Sequence, residues 1–210
     1  MLLIFDLDGT IIDTRDEIEY TFRKAFQNLG LPFDERKMEK HIGLAVEELI
    51  ECLLGYYDPE IEKEIKRVYL GLKERKIRVF PGMEDVLKCN GFKKAIYTSK
   101  RRDVAIRDLE YVGLANFFSV IVGADDVRKK KPDGEGVNKA IELTGENKED
   151  AFVVGDTEMD VLAAKSAGVK SIAVTWGFRS EDFLRALEPD FIAQHPKDIL
   201  NIVSNRKSYF

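Results

Sequence analysis

Five apolar residues, Met1 to Phe5, run without a polar break into Asp6-Leu7-Asp8-Gly9-Thr10. A short continuous apolar run closed by a turn signal predicts a strand buried on both faces, as in a parallel sheet. In open α/β sheets, ligands bind just beyond the carboxyl ends of the strands. Two carboxylates stand at that place here, and Gly9 lets the backbone turn or lets a ligand approach closely. A carboxylate so placed can bind a hard cation such as Mg²⁺, act as a nucleophile, or do both. Its neighbour can serve as a general acid/base. A plain polar turn after a core strand would use the same residues, so the rest of the chain decides between the two.

The chain has 210 residues, 44% of them hydrophobic, enough for a substantial core in one domain or one domain with an insertion. The formal net charge of -5 gives no support for nucleic-acid binding. No window approaches the roughly 18 apolar residues of a membrane span. No basic segment precedes an apolar stretch, so no signal peptide is expected. Cys52 and Cys89 form no metal-ligand pattern, and a reduced, cytoplasmic setting is the default expectation.

After Thr10 the pattern turns helical. Ile18, Phe22, Ala25, Phe26 and Leu29 share one helix face, and Gly30-Leu31-Pro32 stops the run. Asp34 can cap a short helix. Val46, Leu49, Ile50, Leu53 and Leu54 form another stripe, ended by Gly55. Asp58-Pro59-Glu60 starts a further helix with proline at its first position. Residues 15–79 therefore read as an all-helical insert, closed by Phe80-Pro81-Gly82. Residues 1–14 and 80–210 read as the α/β part. From residue 83 onward the predicted strands 93–97, 117–122, 151–154 and 171–174 alternate with helices 84–90, 102–112, 136–143 and 159–167. A last helix covers 199–203. Such alternation predicts a Rossmann-like parallel sheet with helices on both faces.

Each polar landmark falls at the carboxyl end of a predicted strand. Asp6 and Asp8 follow the first, Thr98 and Ser99 the second, and Asp156 and Asp160 the fourth. Carboxylates crowded together repel, by about 4 kcal/mol per pair at roughly 4 Å and an effective dielectric of about 20. A divalent cation relieves this, and oxygen-only ligands favour Mg²⁺. Asp156 and Asp160 also suit the first turn of a helix for purely structural reasons. Thr98 offers a hydroxyl, and the N–H groups after it can hold an oxyanion, although a plain helix cap looks the same. Pro132 restricts the backbone of Lys131, and a lysine fixed there can neutralise phosphate charge.

These landmarks, in this order, resemble the haloacid dehalogenase superfamily: Asp6-Leu7-Asp8-Gly9-Thr10 after an N-terminal strand, Thr98, Lys131-Pro132, and the segment from Val154 to Asp160. The tail 173–192 is similar to the phosphoglycolate phosphatase branch. The resemblance implies a Mg²⁺-dependent phosphatase of a small phosphomonoester, with residues 15–79 as a helical cap. It implies Asp6 as the nucleophile that takes the phosphoryl group. Asp8 is then the acid/base, Thr98 the phosphate-binding hydroxyl with Ser99 beside it, and Lys131 the charge-neutralising lysine. Asp6, Asp156 and the main-chain carbonyl of Asp8 would hold Mg²⁺, with Asp160 as an outer ligand. The expected partner is a small phosphorylated metabolite, with neither nucleic acid nor membrane, and the chain is expected to be a monomer or homodimer.

Pyrophosphate hydrolysis and sugar-phosphate hydrolysis or mutation are the alternatives within the same superfamily. A mutase reading is weakened because Ile42 and Val46 stand where those members carry basic residues. A non-catalytic binding protein would be expected to have lost Asp6, Asp8 or Lys131, and none is lost. The lysine motif departs from Lys-Pro-x-Pro at Gly134, which is expected to loosen the following turn. Trp176 and Phe178 are expected to pack the end of the core. His41 is expected to be structural or, less readily, to touch substrate from the cap.

Overall fold

A computed structural model describes residues 1–206. The chain enters β1 (Leu2–Phe5), turns through Asp6 to Thr10, and forms β2 (Ile12–Asp13). Four helices follow: α1 (Arg15–Asn28), α2 (Glu35–His41), α3 (Val46–Leu54) and α4 (Pro59–Leu70). The chain then returns through β3 (Arg78–Val79), which pairs antiparallel with β2. Residues 78 and 79 are thus strand, not the end of a helical stretch. Their extended conformation comes from pairing with β2, more than sixty residues away in sequence, so no local pattern reveals it.

The remaining elements alternate: α5 (Met83–Lys88), β4 (Lys93–Tyr97), α6 (Arg102–Tyr111), β5 (Val120–Val122), α7 (Glu135–Thr144), β6 (Ala151–Gly155), α8 (Glu158–Ala167), β7 (Lys170–Val174), α9 (Glu181–Ala186), β8 (Phe191–Ala193) and α10 (Pro196–Arg206). All six long-sheet strands are parallel, in the order β5-β4-β1-β6-β7-β8. The α/β parallel sheet read from the sequence is the architecture observed.

β1 lies near the middle of this sheet, between β4 and β6, and is wholly buried. Its side chains alternate between two cores, as a strand's period of two requires. Leu3 and Phe5 join Met83 and Val86 of α5, Leu109 of α6 and Ile199 of α10. Leu2 and Ile4 join Val137 and Ala140 of α7 and Ala163 and Ala164 of α8. Both faces are covered, so the strand is apolar throughout.

The four helices α1 to α4 bury a separate cluster that includes Phe22, Phe26, Met38, Leu49, Ile50 and Ile65. Their ends follow the expected chemistry. The Asp34 carboxylate accepts from the Lys37 N–H, and Asp58 accepts from the Glu60 N–H. Gly55 closes α3 at φ +84°. Leu29, which falls on the periodic face of α1, is 41% exposed because it lies at the end of that helix.

The predicted strand 117–122 is shorter than expected. Ala115–Phe117 form a 3₁₀ turn, and pairing begins only at Val120. Phe117 and Phe118 pack into the core from a turn, so their apolar character does not mark a strand. α9 and β8 have no counterpart in the sequence reading. β8 is a three-residue edge strand, too short to show a period.

Candidate active site

The chain leaves β1, fills β4 and β5 on one side, and crosses back to β6 on the other. The strand order therefore reverses beside β1, and an open α/β sheet has its crevice at such a point. Asp6 follows β1 and Asp156 follows β6, on the two sides of that crevice. Thr98 and Ser99 follow β4, and Lys131 stands on the loop before α7. The structure brings every sequence-predicted site residue to this one edge.

Asp6, Asp156 and Asp160 each offer a carboxylate oxygen within 4.8 Å of the other two, and all three are buried. The Lys131 ammonium donates to Asp6 Oδ1 at 2.7 Å and to Asp160 Oδ1 at 2.6 Å. It also lies 4.9 Å from the centre of the Tyr97 ring, within cation–π reach. Burial pulls the Lys131 pKa down, but Asp160 and Asp6 more than offset this and raise it above the ordinary lysine value. Burial pushes Asp6 up to about 7, with Lys131 opposing and Asp160 adding to the rise. Asp156 lies well above the usual carboxylate range for the same first reason, reinforced by Asp6 and Asp160.

The acids are held firmly. Asp156 Oδ1 accepts from the Thr10 hydroxyl at 2.9 Å, and Oδ2 accepts from the Phe178 N–H at 2.6 Å. The backbone presses against it: a Cβ at Gly9 or Gly177 would lie 2.3 or 2.2 Å from Asp156 Oδ2. Gly9 also sits at φ +81°, so the glycine of the first motif is needed for both conformation and close approach. Asp160 Oδ2 accepts from the Thr157 N–H and hydroxyl at the start of α8, while Oδ1 faces Lys131. Thr157, not Asp156, is the capping residue of α8.

The arrangement fits a divalent cation. Three carboxylates meet one ammonium, which leaves two negative charges in excess when all three are ionised, in a buried site with oxygen donors only. Each carboxylate oxygen keeps lone pairs beyond the hydrogen bonds it already accepts. The Asp8 carboxylate is not part of this triplet. Its Oδ1 accepts from the Thr14 hydroxyl at 2.5 Å and from Lys100 Nζ at 2.6 Å. With its carboxylate turned to those two donors and outside the triplet, Asp8 would serve a metal through its main-chain carbonyl.

Above these groups lies a cavity of about 140 Å³. Asp6, Asp8, Thr98, Ser99 and Lys131 line one side, and α1, α3 and α4 supply Phe22, Leu49, Ile65 and Tyr69 on the other. Lys66 and Arg101 also line it, and both pair with Asp103. Phe178 lines the cavity as well, which corrects its reading as core packing; its N–H is fixed by Asp156, and this turns the residue toward α1. Trp176 does pack on the core, with its indole N–H donating to the Thr10 carbonyl. His41 lies outside the cavity lining, beside the Lys37 carbonyl at 2.8 Å.

Gly134 does not loosen its turn. A Cβ there would lie 2.5 Å from the Ala167 amide nitrogen, and the Gly134 N–H donates to Ser166 Oγ at 3.0 Å. Its lack of a side chain locks the lysine loop onto the end of α8. The Lys131–Pro132 bond is cis.

Sequence reasoning missed Lys100 and a buried charge network behind it. Lys100 donates to Asp108 Oδ2 at 2.7 Å as well as to Asp8. Asp108, fully buried on α6, also accepts from the Tyr69 hydroxyl and from Arg75 Nη2 at 2.7 Å. Arg75 in turn binds Glu17 of α1 at 2.6 Å. In the sequence Lys100 only opens a short Lys-Arg-Arg run, with nothing beside it to mark these partners.

A family model described as haloacid dehalogenase-like hydrolase matches residues 3–174. The chain is 34% identical over 215 residues to pyrophosphatase PpaX of Halalkalibacterium halodurans, covering 96% of this chain and 95% of that protein. It is 32% identical over 209 residues to phosphoglycolate phosphatase of Aquifex aeolicus, covering 97% of each. Among solved structures it is similar to a haloacid dehalogenase-like family hydrolase from Streptococcus pneumoniae, with a TM-score of 0.79 and 26% identity over 96% of this chain and 97% of that one.

Proposed function

This chain belongs to the haloacid dehalogenase-like hydrolase family as a phosphatase, and on that premise we propose that it hydrolyses a small, phosphoglycolate-like phosphomonoester with Mg²⁺ through a phospho-aspartate on Asp6. The observation that carries this reading is the triplet Asp6, Asp156 and Asp160, with Lys131 bridging Asp6 and Asp160, beneath the cavity.

Asp6, Asp156 and the Asp8 carbonyl would hold Mg²⁺, with Asp160 behind them. The cation supplies charge neutralisation that lets an anionic phosphoryl group approach an anionic carboxylate. Asp6 Oδ2, the oxygen not bound to Lys131, attacks phosphorus. The bond to the leaving oxygen breaks, and Asp8 gives that oxygen a proton. Asp8 then takes a proton from the water that attacks the phospho-aspartate, which returns Asp6 and releases phosphate. Lys131 favours the carboxylate form of Asp6 and faces the transferring oxygens. Thr98 and Ser99 bind those oxygens from the end of β4. The helices α1 to α4 act as a cap that keeps bulk water out during the first step.

Lys66 and Arg101 are the cations available to a second anionic group on the substrate, such as the carboxylate of phosphoglycolate. The second phosphoryl group of pyrophosphate would use the same pair, and the similarity to a pyrophosphatase favours keeping that reading in the test. We place the reaction in the cytoplasm, on a free metabolite, with the chain as a monomer or homodimer. Among the described residues no helix is long and apolar enough to cross a membrane.

The test is phosphate release from phosphoglycolate, pyrophosphate, sugar phosphates, nucleotides and an aryl phosphate. Mg²⁺-dependent release should be highest for phosphoglycolate or a close analogue. EDTA should abolish it and added Mg²⁺ restore it. Activity indifferent to both would refute the metal assignment. Preference for pyrophosphate by a wide margin would replace the monoester reading.

A further inference from the structure

Asp8 must turn one oxygen toward the leaving group, and the structure shows what fixes its direction. Both of its hydrogen bonds, from Thr14 and from Lys100, fall on Oδ1. That leaves Oδ2 to carry the proton. Thr14 is a neutral donor close in sequence, whereas Lys100 arrives from β4's end as a partly buried ammonium. Burial works against the charge on Lys100, but Asp8 and Asp108 on either side hold its pKa well above the usual lysine range.

Lys100 is itself held in place. Its four-carbon stem is flexible, and a single partner would leave the ammonium free to follow Asp8 or substrate. Asp108 provides the second anchor and is itself fully buried and bound by Tyr69 and Arg75. Arg75 is anchored by Glu17, whose carboxylate also accepts from the Lys76 N–H at 2.9 Å. Charges therefore alternate along Asp8, Lys100, Asp108, Arg75 and Glu17. The path runs from the sheet edge to α1 and the segment after α4. Buried networks with every member satisfied hold side chains in one arrangement.

We propose that Lys100, anchored by Asp108, is the positioning residue that aims Asp8 Oδ2 at the leaving-group oxygen. This rests on the phosphatase reading above, in which Asp8 is the acid. As the bond from Asp6 to phosphorus forms, the bond from phosphorus to the leaving oxygen breaks. The electron pair stays on that oxygen, and the proton comes from Asp8 Oδ2. Lys100 keeps its own protons throughout.

The test uses leaving groups that differ in their need for that proton. In Lys100→Met, kcat/KM for a simple alkyl phosphate should fall roughly 100-fold, within the range of a general-acid contribution. For p-nitrophenyl phosphate, whose leaving group departs without a proton, it should fall only a few-fold. Lys100→Arg should recover most of the alkyl-ester rate, and Asp108→Asn should show the same selective loss in weaker form. Lys100→Gln, which keeps a donor without charge, serves if the methionine variant does not fold. An equal loss on both esters, or a raised KM with the ratio unchanged, would overturn the proposal in favour of a structural or substrate-binding role. Wild-type protein inactive on both esters, or Asp6→Asn as active as wild type, would instead overturn the phosphatase reading and this inference with it.

Discussion

Asp6→Asn is expected to lower kcat by about 10⁴-fold or more, which corresponds to at least ~5 kcal/mol of lost transition-state stabilisation. The amide is the same size as the carboxylate, so packing against β1 and β6 is kept. What changes is chemistry. An amide oxygen is a poor nucleophile and carries no charge for a cation or for Lys131. Lys131 retains Asp160 at 2.6 Å and so stays in place, which makes the loss one of reaction and not of architecture. The variant should therefore melt close to wild type while losing turnover on every substrate in the panel. Turnover within tenfold of wild type would refute Asp6 as the nucleophile.

Asp108→Ala is expected to cost about 3–5 kcal/mol of folding stability, because it leaves buried cations without their shared partner. That is a large share of the roughly 5–15 kcal/mol that holds a typical domain. The ammonium of Lys100 and the guanidinium of Arg75 both lie on Asp108, and the Arg75 side chain is 5% exposed. The pH dependence follows from the direction of the Asp108 pKa. Burial works to raise it, but Lys100, with hydrogen bonds from Lys100, Tyr69 and Arg75, brings it below the ordinary carboxylate value. A carboxylate whose folded pKa is depressed stabilises the fold above its unfolded pKa. That stabilisation is lost as pH falls through the folded value. Urea unfolding should show the full gap between wild type and Asp108→Ala at pH 7, narrowing below about pH 4. A gap that stays constant on acidification, or one under about 1 kcal/mol at pH 7, would contradict the charge network.

Much of the fold and site can be read from the sequence because the chemistry is local. β1 is legible because burial on both faces makes it apolar at every position. Asp6, Asp8, Asp156 and Asp160 are legible because each directly follows a strand, and Thr98 and Lys131 because strand end and proline mark them. What is not legible depends on distance. Arg78–Val79 are extended only because Ile12–Asp13 lie alongside. Lys100 is drawn partly out of solvent because Asp8, 92 residues earlier, and Asp108 converge on it. Glu17 looks like part of the polar face of α1, yet it is 3% exposed because Arg75 covers it. A charged residue's partner from another element leaves no trace in its own periodicity. Gly134 misleads for a related reason: its flexibility is visible in the sequence, but its closeness to Ala167 is not.

The central claim is that Asp6 carries the phosphoryl group between substrate and water. The most direct test is to mix the enzyme with Mg²⁺ and its best substrate, quench in acid within one turnover, digest with pepsin at the same low pH, where an acyl phosphate survives, and weigh the peptides. Fragmentation should place a phosphoryl group on Asp6 of the N-terminal peptide, and it should be absent from Asp6→Asn. Release of phosphate at full rate with no phosphoryl group on Asp6 at any quench time would contradict the account.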